Sequence, residues 1–425
     1  MLSRLSHPRG HPRLRSIVHV TQVLATSSRP TNLNLLPFKR DLHTALFFPG
    51  LYRPTPFLPL NFTWPLIHTI GHGVQRVGMA NSWIESFPHT AAKVLDEMDS
   101  TLGFKLSSII SDGPNSKLNK TENSQPAVMA TSVLILRILE QEFGFDTKSR
   151  VDVTLGHSLG EFSALVAGGY LEFRDALKLV RGRADMMAHC TRQVSEQSGE
   201  TYGMVALLCE PEHLEDLLRT VQEFIGPESP GIEIDRDNRV PSIQQVVVAN
   251  INSKNQIVLS GSLDRIKILL VQMRQFGGHD PRAVRLKSDS PFHSPAMALA
   301  ADYMRDAVEN INITFPASIP CISNVSALPF QSKEDIKDLL SRQCTETVRW
   351  WDSIRYLHQE RGVKRWIGIG PGKVGRNLVG KEVGRVDTKG GGVWAVCDPR
   401  EMSEIMVALE QTEVETEDYK PELVG

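Results

Sequence analysis

Short apolar runs alternate with amphipathic stretches over most of the chain. The segment ALFFPG (45–50) predicts a buried strand that ends in a turn, and VDVTL (151–155) predicts the next strand. Between them, PAVMATSVLILRILEQEF (126–143) predicts a helix, with proline at its first position and Gly144 at its end. This alternation of strands and helices favours an α/β fold.

The pattern changes between Tyr202 and Lys287. Two apolar strands, GMVALL and QQVVVAN, flank a polar helical segment, and a third strand, QIVLSGS, is followed by the helix LDRIKILLVQMRQF. This order of strand, helix, strand, strand and helix predicts a small α+β subdomain inserted into a larger domain. The segment SPFHSPAM returns to the main body, and a helix follows it near Met297–Ile311.

We therefore predict an α/β protein in which an α/β-hydrolase-like large domain, built on a parallel sheet, contains an inserted ferredoxin-like subdomain. The large domain is assigned to residues 44–201 and 288–406, and the subdomain to residues 202–287. A last short helix follows Arg400, and residues 407–425 are expected to form a frayed acidic tail.

Residues 51–71, LYRPTPFLPLNFTWPLIHTIG, break the alternation. The segment has four prolines and no carboxylates, and it separates the first predicted turn from HGVQRVGM, which continues that turn. It resembles a translated intron or another gene-model error. The alternative is a genuine lineage-specific loop, whose Phe, Trp and Leu residues would expose an unusual apolar surface.

The first forty residues differ in composition from the rest. They contain seven Lys and Arg but no Asp or Glu, a composition typical of a mitochondrial transit peptide, with a disordered basic tail as the alternative. Removing residues 1–40 leaves 40 basic and 49 acidic side chains, a formal net charge of −9. So acidic a protein is not expected to bind nucleic acid.

Other classes of protein are disfavoured by the chain. No stretch approaches the roughly 18 apolar residues of a membrane span. The five cysteines are scattered, with no Cys and His cluster at the spacing of zinc ligands, so we expect reduced thiols, no metal and no cofactor. With 41% apolar residues among 425, the chain is long enough for one large core or two moderate ones.

The segment VTLGHSLGEFSALVAGG (153–169) carries the first chemical signal. A Gly-x-Ser-x-Gly motif between a predicted strand and a predicted helix presents Ser158 as a nucleophile. The backbone N–H of Leu159, at the start of that helix, would face an oxyanion. The helix is expected to stop at Gly168 and Gly169.

Two further residues are candidates for the same chemistry. Arg183 lies at the edge of an apolar helical stripe, so its guanidinium either extends to solvent or meets an anion in a partly buried site. Helical spacing alone favours the first alternative. Among thirteen histidines, His293 in SPFHSPAM is the best candidate for a general base.

Six features in this order resemble the malonyl-CoA:acyl carrier protein transacylase family, and more narrowly its mitochondrial type. They are GHSLGEFSALVAGG (156–169), Arg183, NINSKNQIVLSG (250–261), SPFHSPAM (290–297), RQCTETVRW (342–350) and GIGPGKV (368–374). The resemblance runs from about Thr44 to Met406 and is interrupted only at residues 51–71.

The resemblance implies that Ser158 is acylated by malonyl-CoA and that the phosphopantetheine thiol of acyl carrier protein then takes the group, with His293 as general base. The backbone carbonyl of Gln343 would orient that imidazole. Arg183 would pair with the malonyl carboxylate, and Phe292 would favour malonyl over branched groups.

In the family a second oxyanion donor follows the first strand, and here His72 or Leu51 would take its place. A basic rim for the acidic carrier protein is a further expectation, and its candidates are Lys364, Arg365, Arg376 and Lys381. The alternative for these charges is ordinary solvated surface.

The protein is expected to act as a monomer in the mitochondrial matrix. Two competing functions remain open. One is a serine hydrolase, such as an esterase or thioesterase. The other is a catalytically impaired scaffold that still binds the carrier, because of the interruption at residues 51–71.

Overall fold

The computed structural model describes residues 43–51, 74–225, 245–276, 278, 280–384, 386–387 and 391–417. The proposed transit peptide and most of the 51–71 segment lie outside these residues. Ten strands are described within them. They are β1 His43–Phe48, β2 Val153–Gly156, β3 Tyr202–Leu208, β4 Val247–Ser253, β5 Gln256–Ser262, β6 Arg282–Arg285, β7 Cys321–Ile322, β8 Val363–Ile369, β9 Val386–Asp387 and β10 Gly391–Val396.

Fifteen α-helices are described in the same residues. They are α1 Asn81–Ser86, α2 Pro88–Leu102, α3 Leu106–Ser111, α4 Asn115–Leu118, α5 Thr121–Glu142, α6 Thr147–Arg150, α7 Gly160–Gly168, α8 Phe173–Ser198, α9 Leu214–Ile225, α10 Leu263–Phe276, α11 Ala298–Glu309, α12 Lys333–Arg342, α13 Trp350–Arg355, α14 Val374–Val383 and α15 Met402–Glu417.

The larger sheet has the strand order β7-β2-β1-β8-β10-β9. All its neighbouring strands are parallel except β9, which pairs antiparallel with β10. Leu46 and Phe48 of β1 face one apolar cluster, which includes α5, and Phe47 faces another with Trp350 and Trp366. Both faces of the sheet are therefore covered, as a parallel sheet requires, and the α/β class is confirmed.

The smaller sheet has the order β4-β5-β3-β6 and is antiparallel throughout. All four strands come from residues 202–287, although the sequence analysis did not predict β6. Val205 and Leu207 of β3 pack with α9 and α10. Met204 and Ala206, on the opposite face, pack with Phe292 of the main body. The two sheets thus meet along the face that carries Met204.

Helix α5 begins at Thr121, and Pro126 lies inside it, so the prediction that Pro126 opens the helix is wrong. A proline at 126 cannot donate to the carbonyl of Glu122, its partner four residues earlier. That carbonyl accepts a hydrogen bond from Arg181 Nη1 at 3.1 Å instead. A contact from α8 therefore satisfies the group that proline leaves unpaired.

The carboxyl-terminal helix also differs from its prediction. Helix α15 runs to Glu417, so residues 407–417 are helical rather than part of a frayed tail, and 418–425 lie outside the described residues. Met402, Ile405 and Leu409 pack against the main core, which explains why the helix continues. The helix expected near Met297–Ile311 is confirmed as Ala298–Glu309.

Candidate active site

Ser158 lies in the turn between β2 and α7, at the carboxyl end of the large sheet. Its φ of 51° is in the left-handed region, which costs a non-glycine residue about 1–3 kcal/mol. The turn is tight: a Cβ on Gly156 would lie 2.0 Å from the carbonyl carbon of Gly160. Helix α7 ends at Gly168 as predicted, and Gly169 caps it with a φ of 83°. The structure therefore places the serine on a strained strand-to-helix turn.

His293 lies directly beside this serine. Ser158 Oγ is 2.7 Å from His293 Nε2, and His293 Nδ1 is 2.8 Å from the backbone carbonyl oxygen of Gln343. Because a carbonyl oxygen only accepts, Nδ1 carries the proton and Nε2 accepts from the serine hydroxyl. The structure thus brings together Ser158, His293 and Gln343, in the geometry of a nucleophile, a base and a group that orients the base.

The imidazole of His293 is held in its neutral form. Its side chain is 2% exposed, and burial, followed by the positive charge of Arg183, lowers its pKa to about 3. The residue has a φ of 58°, so it shares the left-handed conformation of Ser158. A neutral imidazole has a free lone pair at Nε2, which a general base needs.

Arg183 is buried, with 2% of its side chain exposed, so the alternative in which it extends to solvent is wrong. Its Nη1 donates to Gln125 Oε1 at 2.6 Å, and its Nη2 donates to Gln343 Oε1 at 2.9 Å. The guanidinium also lies 5.7 Å from the ring centroid of Phe162. Both of these partners are neutral amides, and no carboxylate of the described residues lies within ion-pair distance of the guanidinium, although its charge also acts on the nearby Glu161 carboxyl and Cys344 thiol. The buried cation would therefore attract an anion.

The cleft that contains these groups is lined by residues of both the large domain and the small sheet. Met204 and Asn250 of the small sheet line it, and half-buried Phe292 lies among them. Asn250 Oδ1 is buried there and has no hydrogen-bond partner among the residues that the structure describes. The other lining residues are Leu51, Gln125, His157, Ser158, Leu159, Arg183 and His293.

Two backbone groups near Ser158 are candidates for binding an oxyanion. Leu159 is the N-cap residue of α7, where backbone N–H groups lack acceptors inside the helix. Leu51 lines the same cleft and follows Gly50, whose Cβ would lie 2.4 Å from His157 O. The turn after β1 is therefore held against the serine turn. His72 lies outside the described residues, so its proposed role stays a prediction.

The sequence analysis missed three buried polar side chains around the serine, namely Gln125, Glu161 and Asn324. Gln125 contacts Arg183, which is 58 positions away in the sequence, and Asn324 contacts Glu161, which is 163 positions away. Contacts this remote cannot be predicted from local residue spacing. Glu161 lies within the serine motif, but its burial at 1% exposure is visible only in the fold. Burial raises the pKa of this carboxyl to about 8.

The prediction that Arg365 belongs to a basic rim on the surface is wrong. Arg365 is 2% exposed and donates to Thr44 Oγ1 from Nε at 2.8 Å and from Nη2 at 2.6 Å. Lys381 donates to Asn255 Oδ1 at 3.0 Å, and Lys364 and Arg376 are partly exposed. These three side chains remain candidates for contact with an acidic partner.

The described residues show neither a metal cluster nor a membrane span. Their His, Cys, Asp and Glu side chains form no group of three or more that could hold a metal ion. No helix among them is long and apolar enough to cross a membrane. All five cysteines are free thiols, as the sequence predicts.

Comparison with known proteins agrees with this geometry. The family model for the acyl transferase domain matches residues 69–207. A two-domain α/β fold with a serine, an imidazole and a buried guanidinium in one cleft, together with this match, defines an acyltransferase.

Relatives narrow the class. A malonyl CoA-acyl carrier protein transacylase of Bacillus subtilis (strain 168) is 35% identical over 329 residues, which cover 77% of this chain and 92% of the relative. The chain therefore belongs to the malonyl CoA-acyl carrier protein transacylase family, whose members are S-malonyltransferases.

Solved structures show the same similarity. The acyl-carrier-protein-S-malonyltransferase of Bartonella henselae has a TM-score of 0.66 at 30% identity, covering 87% of this chain and all (100%) of that one. A complex between a type II polyketide acyl-carrier protein and its malonyl-transacylase has a TM-score of 0.66 at 28% identity, covering 87% and 99%.

Proposed function

We propose that this protein transfers the malonyl group of malonyl-CoA, through an ester on Ser158, to the phosphopantetheine thiol of acyl carrier protein. One observation carries the proposal. The serine and its base share a cleft with Arg183, a buried cation whose guanidinium donates hydrogen bonds to the neutral amides of Gln125 and Gln343. A substrate with a thioester at one end and a carboxylate at the other fits both features.

The first half-reaction acylates the serine. Ser158 Oγ attacks the thioester carbonyl carbon while its proton moves to His293 Nε2. The tetrahedral intermediate collapses, the carbon–sulfur bond breaks, and the leaving CoA thiolate takes the proton from the imidazolium. The carbonyl of Gln343 accepts from Nδ1 throughout and keeps the ring oriented.

The second half-reaction reverses these roles with a new thiol. The carrier's thiol gives its proton to His293 Nε2, and its sulfur attacks the ester carbonyl. The carbon–oxygen bond then breaks, and Ser158 Oγ recovers the proton. The thiol reaches the ester at high effective concentration because the carrier holds it, whereas a water molecule has no such orientation.

Negative charge develops on the carbonyl oxygen in both steps. We assign the N–H of Leu159 as one donor, since it lies at the positive end of the α7 dipole. The second donor is the residue that follows the β1 turn, either Leu51 or His72. Phe292 narrows the cleft next to His293, which favours an unbranched malonyl group.

The proposal also includes the types of the two domains and the location of the protein in the cell. The β–α–β–β–α–β order of residues 202–287 supports a ferredoxin-like subdomain, and the serine turn supports an α/β-hydrolase-like main domain. The acid-free first forty residues support import into the mitochondrial matrix, and hence a place in mitochondrial fatty acid synthesis. Fusing residues 1–40 to a fluorescent protein tests this, and diffuse fluorescence outside mitochondria would contradict it.

A transfer assay tests the function. The purified protein is given malonyl-CoA with or without holo acyl carrier protein, and malonyl-carrier and free malonate are quantified. We expect rapid carrier-dependent transfer and slow release to water. Fast release that ignores the carrier would identify a serine hydrolase instead. Binding of the carrier without any turnover would identify an inactive scaffold.

A further inference from the structure

Three non-glycine residues in the described parts of the chain have a positive φ, namely Ser158, His293 and Ala327. The first two are the proposed reacting residues. Ala327 lies in the loop after β7, where its N–H donates to the carbonyl of Ser323 at 2.9 Å. A non-glycine residue keeps a positive φ only where surrounding contacts hold it there, because this conformation is strained. Two of the hydrogen bonds that fix the Ser158 turn come from Asn324 in that loop.

Asn324 in this loop holds the serine turn from both sides. The Ser158 N–H donates to Asn324 Oδ1 at 2.6 Å, and Asn324 Nδ2 donates to the carbonyl of Gly156 at 2.6 Å. One planar amide thus bridges the residue at the end of β2 and the nucleophile two positions later. The bridge takes up the serine N–H, so that group is not available to an oxyanion.

Glu161 joins this bridge to the base. Its Oε1 accepts from the backbone N–H of Asn324 at 2.8 Å, and its Oε2 accepts from Gln343 Nε2 in a short hydrogen bond. Gln343 Nε2 also donates to the carbonyl of Ser158 at 2.9 Å. Gln343 is the residue whose backbone carbonyl orients His293. One carboxyl therefore connects the segment that holds the nucleophile with the segment that orients the base.

We propose that Asn324 and Glu161 are positioning residues for acyl transfer. Asn324 keeps Ser158 in its left-handed conformation, and Glu161 fixes Asn324 relative to Gln343. Together they hold Ser158 Oγ within hydrogen-bond distance of His293 Nε2. This inference rests on the proposed function, since the two side chains act through the residues of that reaction and touch no substrate.

Two opposing effects act on the charge of Glu161. Burial raises its pKa to about 8, while the N–H of Asn324, the amide of Gln343 and the charge of Arg183 favour its ionised form. Both carboxyl oxygens accept from N–H donors. A glutamine at this position would have to direct its NH₂ group at one of those donors, which would break one of the two connections.

The test compares Asn324→Ala, Asn324→Asp and Glu161→Gln with two controls, Asn377→Ala on α14 and Glu404→Gln on α15, whose side chains are exposed. Single-turnover acylation by malonyl-CoA is measured, together with KM. We expect Asn324→Ala and Glu161→Gln to lower the acylation rate constant about 10²-fold, as a misplaced catalytic group does, with KM nearly unchanged. The controls should match the wild type.

Asn324→Asp gives a pH signature that a purely structural role would not. When protonated, the new carboxyl donates to the Gly156 carbonyl and accepts from the Ser158 N–H, as the amide does. When ionised, it cannot donate. Burial and the adjacent carboxyl of Glu161 should both raise the pKa of the new carboxyl, so the activity of this variant relative to wild type should rise as pH falls from about 8 to about 5.5. The isosteric variant also covers the case in which Asn324→Ala does not fold.

Labelling with a fluorophosphonate, which needs only an activated serine, separates this inference from the proposed function. If the wild type reacts with the reagent but forms no malonyl ester, the proposed function is wrong. The labelling rates of the variants then still test whether Asn324 and Glu161 position Ser158. If Asn324→Ala and Glu161→Gln are acylated or labelled as fast as the wild type, the positioning role is wrong. If the activity of Asn324→Asp relative to wild type does not change with pH, the positioning role of Asn324 is also wrong.

Discussion

At the scale of single residues, the side chains of Arg183, His293 and Ser158 set the chemistry of the cleft. Arg183 donates hydrogen bonds to the neutral amides of Gln125 and Gln343, and burial together with the charge of Arg183 lowers the pKa of His293, so its imidazole is neutral. In the proposed mechanism, the neutral His293 would accept the proton of Ser158. The charge of Arg183 would therefore both attract the malonyl carboxylate and favour the neutral form of His293.

Replacing Arg183 with alanine tests the first of these roles. The variant loses two charge-assisted contacts to the carboxylate, so its kcat/KM for malonyl transfer should fall by about 10²–10⁴, while residual acetyl transfer changes much less. Both are measured by transfer to holo acyl carrier protein. Arg192→Ala, on the exposed side of the same helix, is the control. Equal losses for the two acyl groups would count against carboxylate binding.

The neutral state of His293 predicts an unusual pH profile. With a pKa of about 3, the imidazole stays unprotonated as pH falls from 8 to 5.5. An ordinary imidazole, with a pKa of about 6.5, would be about nine-tenths protonated at pH 5.5. Protonation of His293 should therefore not lower kcat/KM for acylation by malonyl-CoA over this range, and the titration of Glu161, whose pKa is about 8, is separated from it by measuring Glu161→Gln in parallel. A fall with a midpoint near pH 6.5 would mean that the base is exposed.

The sequence predicted a site residue where that residue belongs to a local motif or to a segment that resembles the family. The serine motif identifies Ser158 and Leu159, and the residues themselves suggest His293 and Arg183. The resemblance adds Gln343 and the role of each residue. The structure places His293 and Arg183 in the cleft with Ser158, and Gln343 contacts both of them. Helical spacing alone misjudged Arg183, because spacing cannot show that a neighbouring segment covers the edge of a stripe. Asn324 and Gln125 reach the site through contacts remote in sequence.

At the scale of elements, the site depends on how closely β1 approaches the start of α7. A Cβ on Gly160 would lie 2.4 Å from the carbonyl oxygen of Phe48 and 2.9 Å from that of Pro49. The turn after β1 and the serine turn are therefore in direct backbone contact. This contact places Leu51 beside Ser158.

Gly160→Ala is expected to separate these two turns. The overpacking should lower the free energy of unfolding by about 1–3 kcal/mol and reduce acylation more than that loss alone explains. Denaturant unfolding and single-turnover acylation measure the two effects. The control is Gly199→Ala, at a position with a φ of 69° where an added Cβ meets nothing within 4 Å. It should lose some stability but keep its activity. Full activity in Gly160→Ala would show that the contact is not required.

Elements were easiest to predict where both end signals were local. Helix α7 ends at its glycine pair, and α10 has the predicted bounds. The start of α5 was missed because Arg181, which compensates for Pro126, lies on another helix. Strand β6 was missed because it has four residues, with arginine at each end.

At the scale of the whole molecule, the proposed active site lies between the large domain and the small subdomain. The large sheet carries the serine, and the small sheet closes the cleft with Met204 and Asn250. The alternating pattern predicted both units, since each buries its own apolar faces. How the units face each other was not predictable, because their contact depends on a few apolar side chains such as Phe292.

Deleting residues 51–71 tests the interruption in the sequence. The deletion joins Gly50 to His72 and restores a continuous FFPGHGVQ segment. We expect the shortened protein to transfer malonyl at least as fast as the full chain, because a backbone donor needs no particular side chain. Circular dichroism and the transfer assay measure folding and activity. A folded but inactive deletion variant would show that the segment contributes to the site.

The central claim is that Ser158 carries the malonyl group. It is tested most directly by intact-protein mass spectrometry after mixing with malonyl-CoA, followed by peptide mapping. The account predicts one malonyl adduct on the peptide that contains Ser158, its loss on addition of holo acyl carrier protein, no adduct in Ser158→Ala, and a normal adduct in the exposed control Ser403→Ala. An adduct that persists in Ser158→Ala, or a folded wild type that never forms one, would contradict it.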